Sequence, residues 1–135
     1  MQRSITITNS QRQLLIEHAI KYAPNESCAL LFGKVNQECY MVQEVFLTNN
    51  IDNSPINFTI SNEELLRGYM LAEQKGLEVI GIFHSHPHSE AVPSATDKKF
   101  MEANPVVWII FSNSTNSLAA YILESKVEPV PIRII

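Results

Sequence analysis

Residues 77–97 read LEVIGIFHSHPHSEAVPSATD, and the first seven of them form a short apolar run that is typical of a buried strand. Side chains alternate between the two faces of a strand, so His84 and His86 point the same way, about 6–7 Å apart along the backbone. Pro87 lacks a backbone N–H and indicates the end of the strand. The stretch therefore predicts two imidazoles at the C-terminal end of a strand, close enough to bind one metal ion.

A third candidate ligand, Asp97, stands at the end of the same stretch. The segment Ser94-Ala95-Thr96-Asp97 predicts the start of a helix that carries this carboxylate to the two imidazoles. Three such ligands leave the fourth position of a tetrahedral zinc ion for water, which is the arrangement of a catalytic site. The same four residues also fit a helix N-cap that needs no metal. His88 continues the alternation and is an alternative third ligand, but the interruption at Pro87 favours an exposed position for it.

A second motif lies upstream, where residues 24–33 read PNESCALLFG at the start of another predicted strand. His84-Ser85-His86-Pro87, followed by Ser94 and Asp97 at the spacing found here, matches the signature of the JAMM (MPN+) metalloproteases. The upstream motif resembles that family's usual P-x-E-x-C-G-L-L-x-G, with Ala29 where glycine is commoner. The resemblance covers most of the chain and identifies it as a compact, prokaryotic-type member of the family.

The resemblance assigns a role to each residue of the two motifs. It implies that His84, His86 and Asp97 bind one zinc ion. It implies that Glu26 is the general base, which takes a proton from zinc-bound water and later gives it to the leaving amine. Ser94 would hydrogen-bond near the oxyanion of the tetrahedral intermediate. Local sequence alone favours a solvated carboxylate for Glu26, and for Ser94 it leaves the cap and the oxyanion contact both open.

Composition and pattern predict one globular α/β domain over residues 1–135, since 45% of the residues are hydrophobic and 18% are charged. The expected fold is a curved mixed sheet flanked by helices, and the resemblance implies an MPN/JAMM-like, cytidine-deaminase-like architecture. The chain is too short for a TIM barrel, which needs about 200 residues or more. The predicted strands cover residues 4–8, 27–35, 38–47, 58–60, 77–83, 106–111, 118–123 and 127–135. The predicted helices cover 10–22, 61–75 and 94–103. Asn9 or Ser10 is expected to cap the first helix, whose apolar positions include Leu14, Leu15, Ala19 and Ile20.

The charge and the cysteine content of the chain indicate which binding partners and which cellular compartment to expect. The formal net charge of −4 argues against a nucleic-acid partner. No apolar run is long enough to cross a bilayer and no leader precedes the first strand, so we expect no membrane association and a cytoplasmic location. Cys28 and Cys39 are then expected to be reduced thiols. They lie in two neighbouring predicted strands, so the sequence does not decide whether they are close together.

The family resemblance implies a zinc isopeptidase or peptidase that cuts after the C-terminal Gly-Gly tail of ubiquitin-like proteins or of sulfur carriers related to ThiS and MoaD. A non-catalytic MPN scaffold is the first alternative, but every ligand and catalytic position of the motifs is filled. A phage-tail or cell-wall peptidase is another, and a role on nucleic acid like that of RadC-type proteins is disfavoured by the acidic charge. No pattern in the chain selects an oligomeric state.

Overall fold

The fold is built on a single mixed sheet. A computed structural model describes residues 2–135, which contain eight strands and three helices. In chain order these are β1 (Ser4–Ile7), α1 (Asn9–Tyr22), β2 (Cys28–Asn36), β3 (Cys39–Thr48), α2 (Asn62–Gln74), β4 (Glu78–His86), α3 (Ala95–Ala103), β5 (Val107–Ser112), β6 (Ser117–Leu123), β7 (Val127–Val130) and β8 (Ile132–Ile134). The strand order across the sheet is β7-β6-β5-β4-β2-β3-β1-β8.

The two edges of this sheet approach each other. Strands β7 and β8 lie at opposite edges, yet only Pro131 separates them in the chain. Two residues that far apart in sequence span at most about 7 Å, so the sheet must curl until it is nearly closed. Register shifts in the central strand β2, at Leu31–Phe32 towards β4 and at Phe32–Gly33 towards β3, mark where it bends. The expected curved sheet flanked by helices is confirmed.

Helices cover the sheet on both faces. Helix α1 packs on one face through Leu15 and Ala19, over a core that includes Ile5, Leu31, Phe83, Ile109 and Phe111. Helices α2 and α3 pack on the other through Ala72 and Met101, over a core that includes Leu30, Phe32, Ile82 and Trp108. Side chains at even positions near the end of β4 follow Ile82 and therefore face the layer of α2 and α3.

The start and the buried face of α1 differ from the sequence prediction. The N-cap is Thr8, not Asn9 or Ser10, because the Thr8 hydroxyl accepts from the Gln11 backbone N–H at 3.0 Å and the Gln11 side chain accepts from the Thr8 N–H at 2.9 Å. This reciprocal pair is a capping box with glutamine in the fourth position. Of the four apolar positions named for this helix, Leu15 and Ala19 are buried, while Leu14 and Ile20 are 38% and 62% exposed.

Three other features differ from the prediction. Ser61 caps α2 as predicted by accepting from the Glu64 N–H, but the Glu64 carboxylate accepts from the Asn49 N–H instead of closing a capping box. Residues 58–60 lie in the loop before α2 and not in a strand. The predicted edge strand over 127–135 is two strands, because Pro131 interrupts the run and directs its halves to opposite edges.

Two further observations bear on the expected surroundings of the protein. Cys28 is buried and Cys39 is partly buried, and both are free thiols. Across the described part of the chain, none of the helices combines the length and the apolar character that crossing a bilayer requires.

Candidate metal centre

The two histidines of the HSHP motif end β4 side by side with Asp97 above them. His84, His86 and Asp97 are all buried. The two imidazole Nε2 atoms lie 3.0 Å apart, and Oδ2 of Asp97 lies 3.1 Å from Nε2 of His84 and 3.0 Å from Nε2 of His86. The structure therefore brings together the three predicted ligands, each through one atom aimed at a common point.

The size of this triangle fits a small tetrahedral cation. Zinc binds imidazole nitrogen and carboxylate oxygen at about 2.0–2.2 Å, which places two ligands of a tetrahedron about 3.3 Å apart. The three edges measured here are 3.0–3.1 Å, slightly shorter than that value. The donor set of two imidazoles and one carboxylate is also one that zinc prefers, and it occupies three of four tetrahedral positions. The residues present therefore fit zinc.

Hydrogen bonds outside the triangle orient two of its members. The backbone carbonyl of Glu90 lies 2.8 Å from Nδ1 of His86, so Nδ1 carries the proton and Nε2 presents its lone pair to the centre. Asp97 accepts the Ser94 backbone N–H at its Oδ2 atom, at 2.9 Å, and donates its own N–H to the Ser94 hydroxyl, at 3.0 Å. The N-cap reading of this segment is thus confirmed, and the same carboxylate oxygen faces both the helix start and the imidazoles.

Outside the triangle, the His84 ring is held by packing alone. Phe58 stacks on it with ring centroids 4.9 Å apart and planes 25° apart. Trp108 meets it edge to face at 5.7 Å and 83°. Within residues 2–135, the buried Nδ1 atom of His84 has no hydrogen-bond partner. The sequence predicted Phe58 only as the first residue of a short strand, because its contact with His84 arises from the fold and leaves no local pattern.

The charges of the triangle are those of a site for a cation. Burial lowers the pKa of His84 and favours its neutral form. Burial alone would raise the pKa of Asp97, but the close ring nitrogens of His84 and His86 outweigh it and leave that pKa well below its usual range. Burial lowers and the Asp97 hydrogen bond raises the pKa of His86, with a net rise. A carboxylate anion thus sits between two imidazoles whose lone pairs can bind metal.

Glu26 lies across from His86, two residues before β2 begins. Cys28 pairs with His84, and the next rung is formed by the Ser85 N–H donating to the Ser27 carbonyl at 3.1 Å, so the register places Glu26 opposite His86 on the same face. Its side chain is buried, and Oε1 finds no hydrogen-bond partner among the described residues. Burial raises the pKa of Glu26 to about 8, with His86 lowering it and Asp97 raising it.

An uncompensated buried carboxylate is costly, and a nearby cation and its water would satisfy it. Local sequence alone favours a solvated carboxylate at this position, and the structure buries it instead. A contact between Ser27 and Ser85, on the opposite face of the sheet, holds the segment of Glu26 against the end of β4. The Ser27 N–H donates to Oγ of Ser85 at 2.8 Å, and the two hydroxyls lie 2.8 Å apart.

Two further features concern the surroundings of the ligand triangle. His88 is exposed and lies outside the ligand triangle, as predicted. A pocket of about 150 Å³ opens beside His84 on the side of Phe58. Its lining is mainly apolar and consists of Phe58, Thr59, Ile60, Leu65, Ile82, Phe100, Asn104 and Trp108.

Comparison with known proteins gives consistent matches along the chain. The family described as prokaryotic homologs of the JAB domain matches residues 8–123, a range that contains all five predicted site residues. A desampylase from Pyrococcus furiosus is 38% identical over 110 residues, which are 82% of this chain and 75% of that protein. A probable TtuB-protein conjugate cleaving protease from Thermus thermophilus is 32% identical over 108 residues, covering 78% of this chain and 67% of that one.

The fold agrees with these sequence matches. The solution structure of a protein from Desulfitobacterium hafniense superposes with a TM-score of 0.89 at 30% identity, covering 97% of this chain and 92% of that one. The family match spans most of the chain and includes the segments from α1 to β6. The protein therefore belongs to the family of prokaryotic homologues of the JAB domain, as the JAMM (MPN+) resemblance of its two motifs predicts.

Proposed function

We propose that this protein is a zinc-dependent isopeptidase or peptidase that hydrolyses peptide or isopeptide bonds after the C-terminal Gly-Gly tail of ubiquitin-like or ThiS/MoaD-like sulfur-carrier proteins. One observation carries the proposal: Nε2 of His84, Nε2 of His86 and Oδ2 of Asp97 converge within 3.1 Å of one another, near the buried carboxyl of Glu26. Membership of the family and two relatives named as a desampylase and a conjugate-cleaving protease support the choice of a protein conjugate as substrate.

His84, His86 and Asp97 are the proposed zinc ligands, one ion per chain. When bound, zinc supplies a Lewis acid for the scissile carbonyl and lowers the pKa of its water to about 7. The charge of the ion would also lower the pKa of Glu26 from its raised value, because a nearby cation favours the carboxylate. The edges of the ligand triangle need little change to match those of a tetrahedral zinc site.

Glu26 is the proposed general base and Ser94 the proposed oxyanion partner. Glu26 removes a proton from the attacking water and delivers it to the leaving amine, for which its carboxylate must be free of metal. The Ser94 hydroxyl oxygen already accepts the Asp97 N–H, and its own proton remains available for the oxyanion. The cap and the oxyanion contact are therefore compatible in one hydroxyl.

We further propose that residues 1–135 form one JAMM/MPN+ metalloprotease domain with the cytidine-deaminase-like arrangement that the family resemblance implies. The continuous sheet from β7 to β8 supports a single folding unit. Two free thiols agree with action in the cytoplasm, where ubiquitin-fold carriers would be met as conjugates.

The decisive experiment incubates the zinc-loaded protein with fusions of ubiquitin-fold carriers from its own organism. Mass spectrometry of the products should show cleavage directly after the terminal glycines. Chelation should stop the cleavage and added zinc should restore it. A protein that purifies without stoichiometric zinc and leaves every fusion intact would instead be the non-catalytic scaffold.

A further inference from the structure

Asn50 is a buried amide that makes every hydrogen bond its side chain can make. It is 2% exposed. Its Nδ2 donates to the carbonyls of Glu26 and Asn57, both at 3.0 Å. Its Oδ1 accepts the backbone N–H groups of Asp52, at 3.0 Å, and Thr59, at 3.1 Å. Two donors and two acceptors are the full capacity of an asparagine amide, so the side chain is fixed from four directions.

The loop that contains Asn50 forms hydrogen bonds with both backbone polar groups of Glu26, its N–H and its carbonyl. The Glu26 N–H donates to the Ser54 carbonyl at 2.9 Å, and the Glu26 carbonyl accepts from Asn50. The carboxyl itself adds little to this placement, because its Oε1 has no partner within residues 2–135. The aim of the Glu26 side chain therefore depends on where the loop holds its backbone.

The same amide also holds the segment that contains Phe58. Its bond to the Thr59 N–H anchors the residue that directly follows Phe58, and Phe58 stacks on the His84 ring. One side chain thus ties the backbone of the base to the segment that orients a ligand ring. Asn49, its neighbour in sequence, is exposed and contacts Tyr22 and Glu64 without touching Glu26.

We propose that Asn50 is a positioning residue that sets the distance and direction of the Glu26 carboxyl relative to the metal triangle. The proposal rests on the proposed function, in which Glu26 is the base. A displacement of about 1 Å in a catalytic group can lower a rate about 10²-fold. Loss of the Asn50 donors releases the Glu26 carbonyl and should produce a displacement of that kind.

Asn50→Asp is the sharpest variant, because it keeps the size and both acceptor bonds while an oxygen replaces the donor to the carbonyls of Glu26 and Asn57. Asn50→Ala removes all four bonds, and Asn49→Ala is the matched control. In both Asn50 variants we expect kcat on a Gly-Gly-linked carrier fusion to fall about 10²-fold, with KM nearly unchanged and zinc retained. The control should keep wild-type values of all three.

A second readout needs neither zinc nor substrate. In the metal-free protein, amide hydrogen exchange at Glu26 should accelerate in both Asn50 variants and stay unchanged in Asn49→Ala, since the Glu26 N–H bonds the same loop. Unchanged exchange at Glu26 would overturn the proposal. Loss of the fold or of zinc in both Asn50 variants would overturn it too, because Asn50 would then serve the fold as a whole.

A double-mutant cycle separates positioning from a general effect. If Asn50 acts through Glu26, adding Asn50→Asp to Glu26→Gln should cost no further activity. Losses that multiply in the double variant would contradict the proposal. Failure of the proposed function has a different signature: wild-type protein loaded with zinc would leave the fusion uncut, while the exchange result would still decide whether Asn50 holds Glu26.

Discussion

Oδ2 of Asp97 lies within hydrogen-bond distance of three groups, the two imidazole Nε2 atoms and the Ser94 backbone N–H. The N–H bond belongs to the helix start, and the two imidazole contacts belong to the proposed metal site. One oxygen therefore connects the stability of α3 with metal binding. A change that keeps the oxygen but removes its charge separates the two roles.

We expect Asp97→Asn to lose zinc while the metal-free protein keeps its free energy of unfolding within about 1 kcal/mol, because an asparagine oxygen still accepts the cap bond. His88→Ala is the control and should keep one zinc per chain, since His88 is exposed outside the triangle. Elemental analysis of zinc and urea unfolding measure the two effects. Loss of zinc from His88→Ala together with full zinc in Asp97→Asn would refute the ligand assignment.

At the scale of the elements, β2 begins two residues after Glu26, and its neighbours β3 and β4 pack close against it. Gly33 is the tightest point, where an added Cβ would lie 1.9 Å from the Met41 carbonyl oxygen on β3 and 2.8 Å from Cδ1 of Ile80 on β4. This glycine follows the register shift in β2 and permits the bend there. It is also the glycine that ends the upstream motif at residues 24–33.

Gly33→Ala should therefore destabilise the protein by about 1–3 kcal/mol, since backbone of β3 must move away. Gly76→Asn is the matched control, because Gly76 has a φ of +69° that asparagine tolerates and nothing in the described chain lies within 4 Å of an added Cβ. Its effect should stay within about 1 kcal/mol. Equal unfolding midpoints in urea for Gly33→Ala and wild type would show that the contact is not tight.

Helix α1 is joined to the active-site end of the sheet by His18. Its Nε2–H donates to the carbonyls of Cys28, at 3.0 Å, and Thr48, at 3.2 Å, which are partners across β2 and β3. Burial lowers the pKa of His18 below its usual 6.5. The unfolded chain therefore binds a proton near pH 6.5 that the folded chain does not, and stability falls as the pH drops through that value.

Chelated wild-type protein should lose more free energy of unfolding between pH 7.5 and pH 5.5 than chelated His18→Gln, since glutamine does not titrate. Denaturant unfolding at both pH values, with the metal removed from both proteins, measures this difference. The two proteins showing the same loss would mean that His18 does not titrate differently on folding.

Local patterns in the sequence accounted for the ligand triangle and for most strands and helices. Alternation along β4 places His84 and His86 together, and Ser94 caps the helix that carries Asp97. The sequence could not reveal Asn50 or Phe58, because their roles arise from contacts across the loop and the sheet. The solvated reading of Glu26 failed for the same reason, since its burial is a property of strand pairing.

For the whole molecule, the near-closed sheet determines which faces remain available to a substrate. The metal triangle lies on the face of the sheet that α2 and α3 cover, next to the apolar pocket beside Phe58. A long protein tail can reach such a site if its last residues are small. We therefore expect tails ending in Gly-Gly to be cleaved faster than tails ending in Ala-Leu on the same carrier, as measured by single-turnover rates. Equal rates would indicate a general peptidase instead.

The central claim joins the two motifs through the fold: Glu26 acts as a base on water at a zinc ion that it does not bind. Zinc stoichiometry and turnover on a Gly-Gly-linked carrier fusion, measured on one preparation of Glu26→Gln, test it most directly. The account predicts one zinc per chain and a loss of about 10²–10⁴-fold in kcat, because glutamine keeps the size but cannot accept the proton. Full zinc with near-normal turnover would contradict the role of base, and loss of zinc would make Glu26 a ligand.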